Sequence, residues 1–153
     1  MFKQLLASIL AAVLTVAVPT AFAQERGTKD EAKAMTEAAA AHVKKVGAEK
    51  AFHDFNTDKA AWTKKDLYIV AFDFSGNCLA HGTNEKLVGK NLIELKDQSG
   101  KLFTKAIIET GKAGAGWTDY EWVHPVTKKL ELKSTYSMRV QGVEAVVGVG
   151  AYR

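Results

Sequence analysis

Residues 66–74, DLYIVAFDF, constrain the fold of this chain more than any other stretch of its sequence. Six consecutive side chains, residues 67–72, are apolar or aromatic. Because successive side chains of a strand point to opposite faces, both faces of this segment are apolar. A strand with one solvated face would alternate apolar and polar residues. The segment therefore predicts a central strand that is covered on both faces.

The residues before this strand predict helix. Alanine is frequent in residues 31–46, and apolar side chains recur there at helical spacing. Thr28 or Asp30 can cap the start of this helix. Gly47 is expected to break it, since glycine is the poorest ordinary helix former, and a second helical piece is predicted for residues 48–55. A polar loop is predicted for residues 56–65.

The residues after the central strand predict a second strand, a helix and three more strands. A tight turn at residues 75–77 leads into the second strand, and Gly111 is expected to end the helix. The order predicts an α+β fold: a PAS-like, five-stranded antiparallel sheet with a long N-terminal helix and helices on one side. The expected ranges are 78–82 for the second strand, 101–113 for the helix, and 116–125, 128–140 and 143–153 for the last strands.

The first 23 residues predict a secretory signal peptide. Lys3 precedes an apolar run over residues 5–18, and Ala21-Phe22-Ala23 is a small-x-small cleavage site. We therefore expect a signal peptide at 1–23, a short linker at 24–28 and one domain at 29–153. This predicts a periplasmic protein, or a membrane-tethered one if the signal peptide is not cleaved. We expect no transmembrane or output domain of its own.

Composition and motifs exclude several classes of function. The net charge of +4 is distributed along the chain rather than concentrated in one tail, which argues against a nucleic-acid partner. No nucleophile triad, metal-ligand cluster or phosphate-binding glycine loop is apparent, so we expect no catalytic residue, no metal, no cofactor and no enzymatic activity. Cys78 is the single cysteine. We expect it to be a small buried core residue, on the opposite face of its strand from His81.

Several motifs follow one another along the chain: AHG at 80–82, LVGKN at 87–91, GWTDYEW at 116–122, KSTY at 133–136 and VGVGAY at 147–152. Together they resemble the motifs of the single Cache domains of bacterial extracytoplasmic sensors. The resemblance covers the chain from the first helix onward. It implies a PAS-shaped sensory module that binds a small organic acid or related metabolite, with a membrane chemoreceptor or histidine kinase as partner.

The aromatic strand and its neighbours supply candidate ligand-binding residues. A carboxylate pocket needs an apolar wall, orienting polar groups and a cation. Each candidate has an ordinary alternative: a core tyrosine, a lysine that extends to solvent, or a histidine that caps a turn. Strand alternation places Tyr136 and Lys133 on opposite faces unless a bulge intervenes, and it places Trp117 on the face opposite Trp122. The candidates are Tyr68, His81, Tyr120, Trp122, Lys133 and Tyr136.

The sequence thus predicts a periplasmic sensory module that binds a small carboxylate. The alternative is a structural or protein-interaction domain that has no small ligand and is associated with a membrane receptor or kinase.

Overall fold

The computed structural model describes residues 25–153. The predicted signal peptide, residues 1–23, lies outside the described residues. Helix α1, Lys29–Val46, begins with a capping box: the Thr28 hydroxyl accepts from the Glu31 N–H, and the Glu31 carboxylate accepts from the Thr28 N–H. Gly47 ends it at a φ of 88°, which favours glycine. Helix α2, Ala48–Thr57, follows directly. The predicted long helix and its break are confirmed.

The segment between α2 and the central strand contains more regular structure than predicted. Residues 56–65 were expected to form a polar loop. Instead the Asp58 carboxylate accepts from the Ala61 N–H and starts a short helix α3, Lys59–Trp62. A two-residue strand β1, Thr63–Lys64, then pairs with the start of the central strand.

The five predicted strands form one antiparallel sheet, to which β1 adds a sixth. The spatial order is β2-β6-β5-β4, and both β1 and β3 pair with β2 on its other side. Within residues 25–153, no helix combines the length and the hydropathy needed to cross a membrane. The strands are β2, Leu67–Asp73; β3, Cys78–His81; β4, Ala115–Val123; β5, Leu130–Arg139; and β6, Ala145–Tyr152.

The sheet is covered on both faces, which differs from the expected arrangement of helices on one side. Leu67, Ile69 and Ala71 of β2 pack in a core with α1 and α2. Tyr68 and Val70 face the opposite core, which contains helix α4, Phe103–Lys112, and leucines of residues 82–102. The cause is the apolar character of β2 on both faces, since each face must be removed from water.

Gly111 does not end α4 but lets it approach the sheet. The helix continues to Lys112. A Cβ atom at Gly111 would lie 2.5 Å from Cγ1 of Val146, closer than non-bonded carbon atoms can pack. The glycine therefore allows close contact between helix and strand.

A β-bulge in β3 changes which side chains share a face. Val70 pairs with His81, Ala71 with Ala80, and Phe72 with Cys78, so one extra residue is accommodated in β3. Cys78 and His81 therefore point to the same side of the sheet, and the expectation of opposite faces is wrong.

Cys78 is buried, as predicted. Its thiol donates to the Ala80 carbonyl over 3.5 Å. Burial raises the pKa of the Cys78 thiol to about 11, which disfavours the reactive thiolate.

Candidate ligand-binding site

A small cavity lies between the sheet and the α4 side of the molecule. Its volume is about 20 Å³, little more than the space that one water molecule needs. Five of the six predicted residues line it: Tyr68, His81, Tyr120, Trp122 and Lys133. The remaining wall is apolar, formed by Val70, Phe72, Leu87, Leu92, Leu95, Phe103 and Ile107.

Tyr136 lies on the other face of the sheet. The β4–β5 register runs without a bulge, so Tyr120 pairs with Lys133 whereas Trp117 pairs with Tyr136. The Tyr136 ring contacts Trp117, with centroids 5.1 Å apart, and Lys33 of α1 lies over it. The structure therefore places Tyr136 with Trp117 on the α1 side, away from the cavity.

Lys133 is a buried cation. It is 1% exposed, so the alternative that it extends to solvent is wrong. Its Nζ donates to the Tyr68 hydroxyl over 2.8 Å and lies 4.1 Å and 4.7 Å from the ring centroids of Tyr68 and Tyr152. Among residues 25–153, no carboxylate lies within salt-bridge distance of Lys133. A buried ammonium without an anionic partner is costly in free energy.

Gly150 provides the space in which the lysine stem lies. A Cβ atom at Gly150 would be 2.1 Å from Cε of Lys133 and 2.5 Å from Oγ1 of Thr135. Gly150 pairs with Thr135 in the β5–β6 ladder, and Tyr152 pairs with Lys133. The alternation of glycine and tyrosine on β6 thus forms a groove for the aliphatic part of Lys133, with an aromatic ring at its end.

A chain of hydroxyl groups orients the donors around Lys133. The Tyr152 hydroxyl donates to the Val123 carbonyl over 2.9 Å, so its single proton is used there. In the 3.2 Å contact between the Tyr68 and Tyr152 hydroxyls, Tyr68 must therefore be the donor. Tyr68 also accepts from Lys133, which leaves two ammonium N–H groups without an acceptor in the described part of the chain.

The environment keeps Lys133 charged. Burial acts to lower the pKa of the ammonium group, but Tyr120, Tyr68 and the buried carboxylate of Asp66, which is not in contact with it, act in the opposite direction and outweigh it. The pKa of Lys133 is consequently raised above its usual value. The cavity therefore holds a positive charge at neutral pH.

His81 contributes a second donor. Its Nδ1 accepts from the backbone N–H groups of Thr83 and Asn84, at 3.4 Å and 3.0 Å. Burial lowers the pKa of His81 to about 3, with the charges of Lys133 and Lys59 adding to the effect. The ring is therefore neutral near pH 7, and its proton is assigned to Nε2 because Nδ1 is an acceptor. This N–H has no acceptor among residues 25–153, so His81 caps its turn and retains a free donor.

A family model matches almost the whole chain. The model of the family described as "Single Cache domain 2" matches residues 2–153. The chain belongs to the single Cache domain family. Its α+β, PAS-like plan is the fold predicted from sequence.

Relatives of this Cache domain are parts of sensory proteins. The sensor histidine kinase MctS of Rhizobium johnstonii is 32% identical over 88 residues, 58% of this chain. The match covers 19% of that kinase, so the chain spans about a fifth of its length. A methyl-accepting chemotaxis protein from Vibrio parahaemolyticus is 26% identical with a TM-score of 0.70, over 81% of this chain and 87% of that chain.

A third relative shows the fold alone. It is a Cache chemosensory domain whose structure was described as the basis for carboxylic acid recognition. It is 20% identical to this Cache domain with a TM-score of 0.67, and the match covers 80% of this chain and 91% of that chain.

Sequence reasoning missed three residues of the site in this Cache domain. Tyr152 and Gly150 could have been found, since both lie on one face of the closing strand and alternate like Lys133 and Thr135 on β5. Phe103 gave no such signal. It is on α4, and its ring stacks on Tyr120 with centroids 4.7 Å apart only because the helix folds over the sheet.

Proposed function

We propose that this Cache domain binds a small monocarboxylate in the cavity at Lys133. We further propose that it does so in the periplasm and signals through a membrane chemoreceptor or histidine kinase. The observation that carries the proposal is the burial of a charged ammonium group that has no carboxylate within salt-bridge distance among residues 25–153. A ligand carboxylate supplies the missing negative charge, and charge-assisted hydrogen bonds are among the strongest in proteins.

The donors around the cavity suit a carboxylate. Lys133 offers two N–H groups, and His81 offers Nε2–H from a neutral ring. A carboxylate is an acceptor at both oxygens, so it can pair with both side chains without an unsatisfied donor of its own. A neutral or cationic ligand would leave the charge of Lys133 uncompensated.

The rest of the wall favours an acid with one charge and a short apolar tail. Among the described residues that line the cavity, Lys133 is the sole cation. A second carboxylate would therefore be buried against leucine and phenylalanine side chains without compensation. Because the volume is about 20 Å³, part of the wall must move outward to admit even a two-carbon acid. The half-buried part of the wall consists of Leu87, Leu92, Leu95 and Trp122.

Location and partner are supported by sequence and relatives. Residues 1–23 have the pattern of a secretory signal peptide. One relative is a sensor histidine kinase and another is a methyl-accepting chemotaxis protein. A further solved structure with this fold is described as a periplasmic sensor domain of a chemotaxis protein.

Thermal unfolding of the purified protein with a panel of acids tests the proposal. The panel contains formate, acetate, propionate, butyrate, succinate and the corresponding primary amides. At least one monocarboxylate should raise Tm by several degrees at saturation, because ligand at about 100 times its Kd stabilises the folded state by about 2.7 kcal/mol. The matching amide should have no effect.

Lys133→Met should abolish this response, whereas Lys129→Met, at an exposed lysine of the β4–β5 turn, should leave it intact. Replacing a buried charge by an apolar side chain of similar length is neutral or stabilising, so the Lys133 variant should remain folded. A panel without any acid response, or an equal response to acids and amides, would favour a domain that contacts protein partners only.

A further inference from the structure

A second, larger pocket adjoins the cavity from outside. Its volume is about 430 Å³, within the range of small-molecule sites, and its wall includes Thr83, Asn84, Pro125 and Lys128. Two residues line both spaces: His81 and Trp122. We call this space the outer pocket. The side chains of His81 and Trp122 therefore form part of the boundary between the cavity and the outer pocket.

Of these two side chains, His81 is the more firmly held. Its Nδ1 accepts two backbone hydrogen bonds, and the side chain is part of a strand paired with β2. Trp122 is half-buried near the end of β4, the outermost strand of the sheet. Its ring contacts Phe103 in a tilted arrangement, with centroids 5.2 Å apart.

The leucine side of the cavity is also tied to the sheet. Backbone hydrogen bonds join Cys78 N to Lys90 O, Gly89 N to Cys78 O, and Leu92 N to Gly76 O, at 2.8–2.9 Å. These bonds fix the segment that bears Leu87 and Leu92 to the β2–β3 hairpin. Movement of that wall would break backbone bonds, whereas rotation of Trp122 would break none.

We propose that Trp122 is a partition that sets the length of the acid bound at Lys133. This inference rests on the proposed function, because it assumes that the ligand carboxylate lies at Lys133. An acid of two or three carbons is admitted by a partial rotation of the Trp122 ring, which still closes the cavity from the outer pocket and so confines the tail of the acid. Without the indole ring, the cavity and the outer pocket become one space, and a straight tail of four to six carbons reaches Val123 and Pro125.

The test is the chain-length profile of binding, measured by titration calorimetry with straight-chain acids of two to six carbons. Wild type should prefer the shortest acids. In Trp122→Leu, affinity for the six-carbon acid relative to the two-carbon acid should rise at least tenfold over wild type. The gain in affinity for each methylene added to the acid should not exceed about fourfold, the value expected for burial of one CH₂ group. Trp122→Ala provides a second variant with a larger opening.

Trp117→Leu is the matched control. Trp117 is on the same strand, is also paired with an aromatic ring, and lies on the opposite face. Its replacement should leave the profile of wild type. The six-carbon primary amide should not bind the Trp122 variants, which excludes simple adsorption to newly exposed apolar surface.

The outcomes separate this inference from the proposed function. If wild type binds short acids and both folded Trp122 variants keep its profile, the partition is disproved and the carboxylate site remains. Loss of all acid binding in folded Trp122 variants disproves the partition too, since the ring is then a required contact. If wild type binds no acid of the series, the proposed function fails and the inference fails with it.

Discussion

Two histidines in this protein cap turns in the same way and differ in one partner. Nδ1 of His81 accepts from the backbone N–H groups two and three residues later, and so does Nδ1 of His124. Both rings are buried. Nε2 of His124 lies 3.0 Å from the buried carboxylate of Asp66, whereas Nε2 of His81 has no acceptor in the described part of the chain.

The difference separates a structural network at His124 from the proposed binding site at His81. Asp66 also accepts from the N–H of Gly27, so the His124 turn is joined to the residue that precedes the cap of α1. That network is complete within the protein. The His81 turn is complete at its backbone side and open at the cavity side, where a ligand oxygen can serve as the acceptor.

The largest difference between the two histidine turns is expected in how much each histidine contributes to the free energy of unfolding. His124→Ala removes both the cap of its turn and a hydrogen bond to the buried Asp66 carboxylate, so the free energy of unfolding should fall by about 2.5–4 kcal/mol. Urea denaturation monitored by circular dichroism measures it. The double variant Asp66→Asn, His124→Ala removes the charge as well and should regain part of the loss. If His124→Ala costs no more than the loss of a cap, about 1 kcal/mol, the buried pair is not what distinguishes the two turns.

The next effect is on ligand affinity. His81→Asn keeps a side-chain oxygen that can accept from the turn N–H groups but removes the Nε2–H donor. Affinity for the monocarboxylate should fall roughly 10- to 100-fold, the range expected for a hydrogen bond to a charged group. Titration calorimetry gives this value. The free energy of unfolding without ligand should change by less than about 1 kcal/mol. Unchanged affinity in a folded His81→Asn variant would show that the ligand does not use His81.

The smallest expected effect is a pH dependence from His81. Burial lowers its pKa from 6.5 to about 3 in the folded protein, whereas the unfolded chain protonates this ring near pH 6.5. Between these values the unfolded state binds more protons, so acid lowers the free energy of unfolding. At pH 5 the loss relative to pH 8 should be about 2 kcal/mol. Urea denaturation of wild type and His81→Asn at pH 5 and pH 8 tests this. An equal loss of unfolding free energy between pH 8 and pH 5 in the two proteins would contradict it.

Features that depend on local pattern were predictable from the sequence. Three such features follow from the residue pattern within one element. They are the apolar side chains on both faces of residues 67–72, the helix break at Gly47, and the placement of Trp117 and Trp122 on opposite faces of β4. Five of the six candidate residues line one cavity, because the parity of β4 and the burial of Tyr68 are properties of single strands, and their role in ligand binding stays a prediction.

Features that depend on distant partners were not predictable. The bulge in β3 reverses the relation of Cys78 to His81, and it arises from pairing with β2 rather than from the short β3 sequence. The Asp66–His124 pair joins residues 58 positions apart, at two turns that no motif connects. Strand parity separates the candidate Tyr136 from Lys133 unless a bulge intervenes, and the regular β4–β5 register places Tyr136 on the face opposite the cavity.

The contact between Gly150 and Lys133 restricts the order in which substitutions at positions 133 and 150 can occur during evolution. Any side chain at position 150 collides with the lysine stem, at 2.1 Å for the first carbon atom alone. Position 133 can lose its lysine while position 150 is still glycine, but a side chain acquired first at position 150 would displace the buried lysine stem. Once glycine is lost, a lysine that reappears at position 133 has no groove to occupy. A lineage that gives up the buried cation and then fills the groove therefore cannot regain the site by reversing one substitution.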